Sequence, residues 1–476
     1  MIALIVRREF TEWWREGRLR WLAAGCVVLL LSMALLGWQA TLVDVQARHA
    51  AIEGEHDNFL AQGAKNPHAA AHFGQYAFRP VLLPSAVDPG VGPWMGSMIW
   101  MEAHRRNLAE FRAAEEGAGY GASAMLSVSW VLQYVVPLLV IIIGFAAIAG
   151  ERERGTLSLL LAQGVPLHKL AIGKAAALTA AMLLLLVPLI LAILALYGLS
   201  PTELDTHDAA SRLLWMGLAY ALYVIGFAAL VLCVSLLAST ARLALLALLV
   251  LWVVMVVLVP RLATDAAAAR HPLPAATSFW AAIKRGEGTE VSSEIPEVRA
   301  ARLREALAAE LLTRYGVTRV EELPVNFTAV YLQRLEEADA PIFDRAYGQL
   351  WAAQESQRSL RALFGVLSPT IVLREVSMAL AGSDPFALWH FSQAAEAHRR
   401  KLVEALNGTQ ARDGAGRAFY VAPAETWAQM PTLSYTPPDV AEILARHRGD
   451  WLLLWLWALL PCAAAVVLAK RVGRGR

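Results

Sequence analysis

Charged residues are scarce in this chain of 476 residues. Asp, Glu, Lys and Arg make up 17% of it, whereas hydrophobic residues make up 57%. A soluble domain has about a quarter charged residues. The apolar residues are concentrated in runs long enough to cross a bilayer, which excludes a wholly soluble protein. The formal net charge is only +2, so the sequence gives no reason to expect nucleic acid as a partner.

Cysteines and catalytic motifs are also sparse. The three cysteines, Cys26, Cys233 and Cys462, lie in apolar runs, which excludes a disulfide framework and a thiolate zinc site. The chain contains neither a G-x-x-x-x-G-K-[ST] phosphate loop nor a G-x-S-x-G nucleophile elbow. The sequence therefore predicts a non-catalytic membrane protein that binds no cofactor of its own.

Six apolar runs are predicted to be transmembrane helices, because each can cross a hydrocarbon core of about 30 Å at about 1.5 Å per residue. They are residues 21–43, 124–150, 170–199, 213–240, 243–259 and 451–468. Pro260 and Arg261 are expected to end the fifth run. Residues 1–20 mix apolar residues with arginines, which predicts an interfacial elbow helix. The predicted fold class is an all-α polytopic membrane protein.

The interiors of the predicted spans contain no ionisable residue, and Lys174 at one end of the third span comes closest. An ion-coupled transporter would be expected to keep such a group. The uncharged polar residues of the spans are interpreted as contacts between helices rather than as contacts with a substrate. They are Ser127, Ser129, Gln133, Tyr134, Thr179, Tyr220 and Tyr223.

The distribution of basic residues indicates the orientation. Arginines and lysines lie before the first span, in residues 151–169, between the fourth and fifth spans, and in the tail 469–476. The short loop 200–212 instead carries three acidic residues, namely Glu203, Asp205 and Asp208. The positive-inside rule therefore predicts that both termini are cytoplasmic.

The two long segments, 44–123 and 260–450, are then extracytoplasmic, and we expect them to form one mostly helical cap. In the first, the sequence predicts a helix through about Asn58, an irregular stretch from Phe78 to Trp94 and a helix over residues 98–116. In the second, leucines at every fourth position predict a helix ending at a glycine, with capped helices after it and an extended stretch over 418–439. The leucines, helix-ending glycines and predicted caps are Leu303, Leu307, Leu311, Gly316, Gly382, Asn326, Ser368 and Asp384.

Two histidines are the candidate metal ligands. His68 and His72 are four residues apart and would share a helix face, which is the spacing of a metal-binding pair. His49 and His56 precede them, but no third ligand is fixed by spacing and the glutamate of an H-E-x-x-H motif is absent. The alternative is that both are ordinary surface histidines.

The connection between the second and third spans carries the most distinctive pattern, ERERGTLSLLLAQGVPLHKLAIGK (151–174). It predicts a short amphipathic helix at the membrane surface and then a return into the membrane. The alternative is a plain surface hairpin whose charges pair with each other. The candidate residues are Glu151, Arg152, Glu153, Arg154, Gly155, Thr156, Leu157, Leu160, Leu161, Gly164, Pro166 and Lys174.

This run resembles the E-x-E-x-G-T-L…L-L…P…GK pattern of ABC-2-type transporter permeases. Further stretches resemble a group of these permeases with large extracytoplasmic inserts. They are HFGQYAFRP (72–80), DPGVGPWMG (88–96), EAHRRN (102–107) and LSPTIVLREVSMALAGSDP (367–385).

The resemblance implies that the elbow helix and the segment after the second span couple this chain to a separate ATPase dimer, which binds ATP and magnesium. We expect the face of Leu157, Leu160 and Leu161 to fill a groove on that ATPase. A second permease copy, or a similar permease, would complete the core in the bacterial cytoplasmic (inner) membrane.

The implied function is that of a permease subunit, and specifically of an exporter. One alternative is an ATPase-driven mechanotransmitter that acts on a periplasmic protein without passing a substrate. Another is an integral membrane enzyme or metal-dependent assembly factor that uses the extracytoplasmic domain.

Overall fold

Within the residues that the computed structural model describes, six helices are long and apolar enough to cross a membrane. The structure describes residues 1–15, 17–116, 126–201, 204, 206, 208–286, 295–417 and 419–474. The predicted start of the second span at residue 124, Glu203, Asp205 and residue 418 lie outside these ranges. The prediction of an all-α polytopic membrane protein is confirmed.

The helices are numbered along the chain. In the first half they are α1 (Ile2–Arg15), α2 (Arg18–Leu60), α3 (Pro67–Phe73), α4 (Ala113–Glu116), α5 (Val128–Glu153), α6 (Thr156–Ala162), α7 (Leu167–Gly198), α8 (Ala209–Leu237) and α9 (Ala241–Arg270). In the second half they are α10 (Ala276–Arg285), α11 (Pro296–Tyr315), α12 (Phe327–Phe364), α13 (Pro369–Ala381), α14 (Pro385–Asp413), α15 (Val440–Arg446) and α16 (Arg448–Arg474). The membrane helices are α2, α5, α7, α8, α9 and α16.

The fifth membrane helix does not end where the sequence analysis placed its end. Pro260 and Arg261 lie inside α9, which continues to Arg270. A π-helical turn, Val253–Leu258, ends two residues before Pro260 and changes the hydrogen-bond register there, so that the missing proline N–H does not break the helix.

The first insert contains a small antiparallel sheet, β1 (Gln75–Phe78), β2 (Met98–Glu102) and β3 (Arg105–Arg106). The helix predicted over residues 98–116 is therefore wrong for its first part, and only α4 is helical. Ile99 and Met101 are buried against Phe391 of α14 while their neighbours are half-buried, which is the two-residue period of a strand. The expected helix through Asn58 is confirmed, because α2 runs to Leu60.

In the second insert the predicted helix boundaries agree with the structure. The side chain of Asn326 accepts a hydrogen bond from the Ala329 N–H at 3.0 Å, and Asp384 caps α14 in the same way. Gly316 and Gly382 adopt left-handed φ angles just after α11 and α13. Ser368 precedes α13, but its hydroxyl donates to the Met255 carbonyl of α9 instead of capping.

One helix of the second insert is buried in the hydrophobic core of the helix bundle rather than facing water. In α13 every residue except Arg374 is buried, because the helix packs between α8 and α16. Val372, Val376 and Leu380 belong to the same hydrophobic core as the membrane helices. We call the chain segments that connect α2 to α5 and α9 to α16 the cap. Because α13 belongs to the second segment, the cap is anchored between the membrane helices.

Candidate functional site

The elbow helix α1 and the connection between α5 and α7 meet at the end of the bundle that carries both chain termini. We call this the elbow end. Ile5 of α1 packs on Gly173 of α7 so closely that a Cβ atom on the glycine would lie 2.7 Å from Ile5 Cγ2. Near the C-terminus, a Cβ on Gly473 would lie 3.5 Å from the Cβ of Leu167. Both termini and the predicted coupling segment are thus neighbours.

A buried ion cluster joins the elements of the elbow end. The Nζ of Lys174 lies 2.6 Å from Glu9 Oε1 and 3.4 Å from Glu151 Oε1. The three side chains are only 4%, 6% and 3% exposed. Thr156 donates a hydrogen bond to Glu151, and Arg154 lies 3.8 Å from the same carboxylate. The cluster therefore ties α1, the end of α5, the start of α6 and α7 together.

The other two charged residues of the ERER run, Arg152 and Glu153, bond the end of α8 and the start of α9. Arg152 donates to the carbonyls of Leu236, at 2.8 Å, and Ala238 at the end of α8. Glu153 accepts from the Ala241 N–H at the start of α9, at 3.0 Å. The contact between Arg154 and Glu151 is a pairing within the run, as the hairpin alternative expects, whereas Arg152 and Glu153 also bond residues outside the run.

The short helix α6 turns three of its four leucines inward. Leu157 is 1% exposed, and Leu160 and Leu161 pack against the core of this chain. Leu157 is therefore covered within the protein, whereas Leu160 and Leu161 are only partly buried, so the docking face expected from these three leucines stays a prediction. The outward face instead presents Leu159, which is 62% exposed, together with exposed Ser158, Ala162 and Gln163.

The turns on either side of α6 use the residues that the sequence singled out. Gly155 precedes α6 with a φ of 75°, and Gly164 follows it with a φ of 78°. Both angles are in the left-handed region that favours glycine. Pro166 stands directly before α7 in an extended conformation. The chain therefore reverses direction at each end of α6.

Sequence reasoning missed Glu9. Burial raises the pKa of this carboxyl, and the charge of Lys174 opposes the effect. The available signal was a carboxylate four residues after Ile5, on the helix stripe that carries apolar residues. Its partner lies 165 residues away in the chain, so spacing alone could not pair the two.

At the opposite end, Asp88 is a buried carboxylate between the cap and the membrane helices. It accepts hydrogen bonds from Ser129 Oγ of α5 at 3.0 Å, from the Gly90 N–H and from Ser377 of α13. Burial raises its pKa, whereas the serine hydrogen bonds oppose the effect. The carboxylate therefore holds the first insert against a membrane helix and α13.

The polar residues of the spans extend this network. Gln133 donates to Tyr220 at 3.1 Å, and Tyr220 is 3.0 Å from the Ser377 hydroxyl. Tyr223 donates to the Gln133 carbonyl at 2.9 Å and lies at the same distance from Thr370 of α13. These contacts confirm the interpretation of the amide and the two tyrosines as contacts between helices.

The structure brings His68 and His72 together with a third histidine, His104, which the sequence analysis did not select. One ring nitrogen of each lies within 4.8 Å of the others. Burial, and next the ring of His104, lower the pKa of His68 to about 4. His49 lies apart on α2, beside Glu53. No spacing rule relates residue 104 to the pair, because it lies on a different element.

The described residues thus form six candidate membrane helices, a helix α1 before the first of them and a short helix α6 after the second. The model of the ABC-2 family transporter protein matches residues 4–307. That is more than half of the chain, which therefore belongs to the ABC-2 transporter family. The Domain of unknown function (DUF3526) matches residues 276–436, a range that contains α10 to α14. No curated protein matches the chain.

Proposed function

We propose that this chain is the permease subunit of an ABC-2-type exporter driven by a separate ATPase dimer. ATP and magnesium bind to that partner, and a second copy of the chain or a similar permease completes the two-fold core. The elbow end lies on the cytoplasmic side of a bacterial inner membrane, and the cap lies outside. The family match and the ion cluster around Lys174 support the proposal.

The ion cluster supports the proposed function because a force on α6 would be transmitted to other helices. Glu151 and Thr156 link the base of α6 to Lys174 of α7, which in turn holds Glu9 of α1. Arg152 and Glu153 link the same segment to α8 and α9. Force applied to the outer face of α6 is therefore transmitted to five helices, namely α1, α5, α7, α8 and α9.

The docking face is the outward side of α6, centred on Leu159. Burying a leucine contributes about 1.5–3 kcal/mol, so Leu159→Asp should weaken ATPase docking by well over tenfold. The measurement is co-purification of a co-expressed ABC ATPase that binds the parent protein, with membrane insertion checked in parallel. Leu160 and Leu161 are unsuitable targets, because they pack inside this chain.

Leu273→Asp is the matched control. Leu273 is an exposed leucine of the cap, 44% exposed, at the opposite end of the protein. It should leave co-purification unchanged. If Leu159→Asp retains the ATPase as well as Leu273→Asp does, α6 is not the docking surface.

The orientation is tested separately. A reporter that is active only in the cytoplasm should be active when it is fused to the C-terminus. The same reporter should be inactive when it is inserted into the cap, for example after Leu273. The opposite pattern would place the elbow end outside and remove it as a docking site for a cytoplasmic ATPase.

Mechanotransmission is the second candidate, and the position of α13 favours it. This helix fills the space between α8 and α16, and Ser377 contacts both Tyr220 and Asp88. Movement of α8 would therefore reach the cap directly. ATP-dependent capture of a periplasmic protein by the reconstituted complex is expected for a mechanotransmitter, whereas ATP-dependent accumulation of a compound inside inverted vesicles is expected for an exporter.

A further inference from the structure

Three histidines converge on one point at the surface of the cap. His68 and His72 lie one turn apart on α3, and His104 lies in the turn between β2 and β3. The Nε2 atoms of His68 and His104 are 3.2 Å apart. Two nitrogens bound to one tetrahedral zinc ion at 2.0–2.1 Å would be about 3.3 Å apart, so this pair already has the spacing of metal ligands.

Hydrogen bonds fix which nitrogen of His68 carries the proton. Glu337 can only accept, so the Gln333 amide points its NH₂ group at it, at 3.2 Å. The Gln333 oxygen then faces the Asn407 NH₂ group, at 3.1 Å. This leaves the Asn407 oxygen 3.3 Å from His68 Nδ1. Nδ1 therefore carries the proton, and Nε2 presents its lone pair.

For His104 a nearby carboxylate favours the same tautomer. Its Nδ1 lies 3.2 Å from Glu336 Oε2, a charge contact without the geometry of a hydrogen bond, and its backbone N–H donates to the same oxygen at 2.9 Å. Arg399 donates a hydrogen bond to the other oxygen of Glu336, so both carboxylate oxygens face donors. A carboxylate can only accept from the ring, which favours the proton on Nδ1 and leaves Nε2 of His104 bare.

Two lone pairs that face each other at 3.2 Å need a cation between them. A proton shared between His68 and His104 would satisfy only those two nitrogens. The ring of His72 also lies close, with its centroid 4.8 Å from that of His68 and 5.3 Å from that of His104. Three imidazoles with carboxylate and amide partners behind two of them form the usual ligand environment of a divalent transition metal. His104 also adopts a left-handed φ of 64°, which is rare for a non-glycine residue.

We propose that His68, His72 and His104 bind a divalent transition-metal ion of the zinc type, with the fourth position open to water or to an incoming ligand. His72 is exposed, so the ion can reach the site from solvent. The inference is independent of the proposed transport function. Because Glu336 and Asn407 belong to α12 and α14, the ion would also fasten the first insert to the second.

The test is titration of the full-length protein, stripped of metal and purified with a tag that contains no histidine. Zn²⁺ is the probe, followed by calorimetry and by the thermal unfolding midpoint. We expect about one ion per chain and a higher midpoint with zinc. Co²⁺ at the same site should give the strong visible absorption of a tetrahedral complex.

Two variants and a control decide the outcome. His72→Ala changes an exposed side chain, and His104→Asn keeps a residue that tolerates the left-handed conformation. Each should lower zinc affinity by at least about tenfold. Removing a residue that only hydrogen-bonds to a metal ligand already costs about that much. His49→Ala, an exposed histidine of α2, should bind like the parent protein. If the parent protein binds no zinc, or if both variants bind it as tightly as the parent, the three histidines form no metal site and His68 and His104 share only a proton.

Discussion

Lys174 of α7 donates a hydrogen bond to Glu9 of α1 across 2.6 Å, and both side chains are almost completely buried. This ion pair joins the elbow helix to a membrane helix through charge rather than through apolar packing alone. A buried pair of this kind contributes little net stability, but removal of one partner is costly. The contact is therefore a sensitive point of the elbow end.

Lys174→Met should destabilise the protein by about 3–5 kcal/mol, because Glu9 is left as a buried charge without a cation. Lys169→Met is the control, since Lys169 is an exposed lysine of the same helix. The measurement is thermal unfolding in detergent. The double variant Glu9→Gln with Lys174→Met should recover much of the loss. Equal midpoints for the two single variants would show that the pair carries no such penalty.

Gly226→Ala should destabilise the contact between α8 and α16 by about 1–3 kcal/mol. A Cβ atom at Gly226 would lie 2.6 Å from the Trp457 carbonyl oxygen, and a backbone atom cannot move aside cheaply. Gly217, in the same helix, has no heavy atom within 4 Å of the corresponding position. Gly217→Ala should therefore be tolerated. Denaturation of both variants in one detergent compares them directly, and equal losses would contradict the close approach of the helices.

Ser377→Ala should cost about 1–3 kcal/mol, because it removes a donor to Asp88 and a partner of Tyr220 in a buried network. Ser278→Ala is the matched control, because Ser278 is exposed and bonds only the Ala275 carbonyl of its own helix. Hydrogen exchange of α13 should rise in the first variant and stay unchanged in the second. Unchanged exchange in both would mean that Ser377 does not hold α13.

The carboxyl of Asp88 should make stability depend on pH. Burial raises its pKa above the ordinary value of 3.8, against the hydrogen bonds of Ser377 and Ser129 and the weaker effect of Arg374. A raised folded-state pKa means that the folded protein binds a proton that the unfolded chain has released. The stabilising contribution is therefore full below pH 3.8 and is lost as the pH rises through the folded-state pKa.

Asp88→Asn removes this dependence. The difference in unfolding free energy between the parent protein and the variant should favour the parent protein most at the acidic end of the range. It should shrink as the pH rises. A difference that is constant with pH, measured by thermal unfolding at several pH values, would show that Asp88 has the same pKa in both states.

The membrane helices could be predicted from sequence because apolar run length is a direct physical requirement of the bilayer. The continuation of α9 through Pro260 could not, since it depends on a π-helical turn with no sequence signature. The strand β2 could not be told from a helix either. In a short apolar run, residues such as Ile99 and Met101 fit both periods until the surface that buries them is known.

At the candidate sites, the sequence identified the segment but not its contacts. Glu151, Arg152 and Lys174 were selected as members of the coupling segment, whose role stays a prediction, and the sequence did not show their contacts with Glu9 and with the end of α8. The inward rotation of Leu160 depends on how α6 packs on the core, which helical spacing does not determine. His104 was missed because its approach to His68 depends on the pairing of three short strands.

Helix α2 has a mechanical consequence that depends only on its length. Its 43 residues contain no proline and form one helix of about 65 Å, of which roughly half crosses the membrane. Such a helix is a lever arm with its pivot near Gly17, where the chain takes a left-handed turn after α1. A tilt of about 5° at that pivot would displace the far tip by roughly 6 Å over this length. The tip ends at Leu60, eight residues before His68, so such a tilt would also displace the chain close to the three histidines.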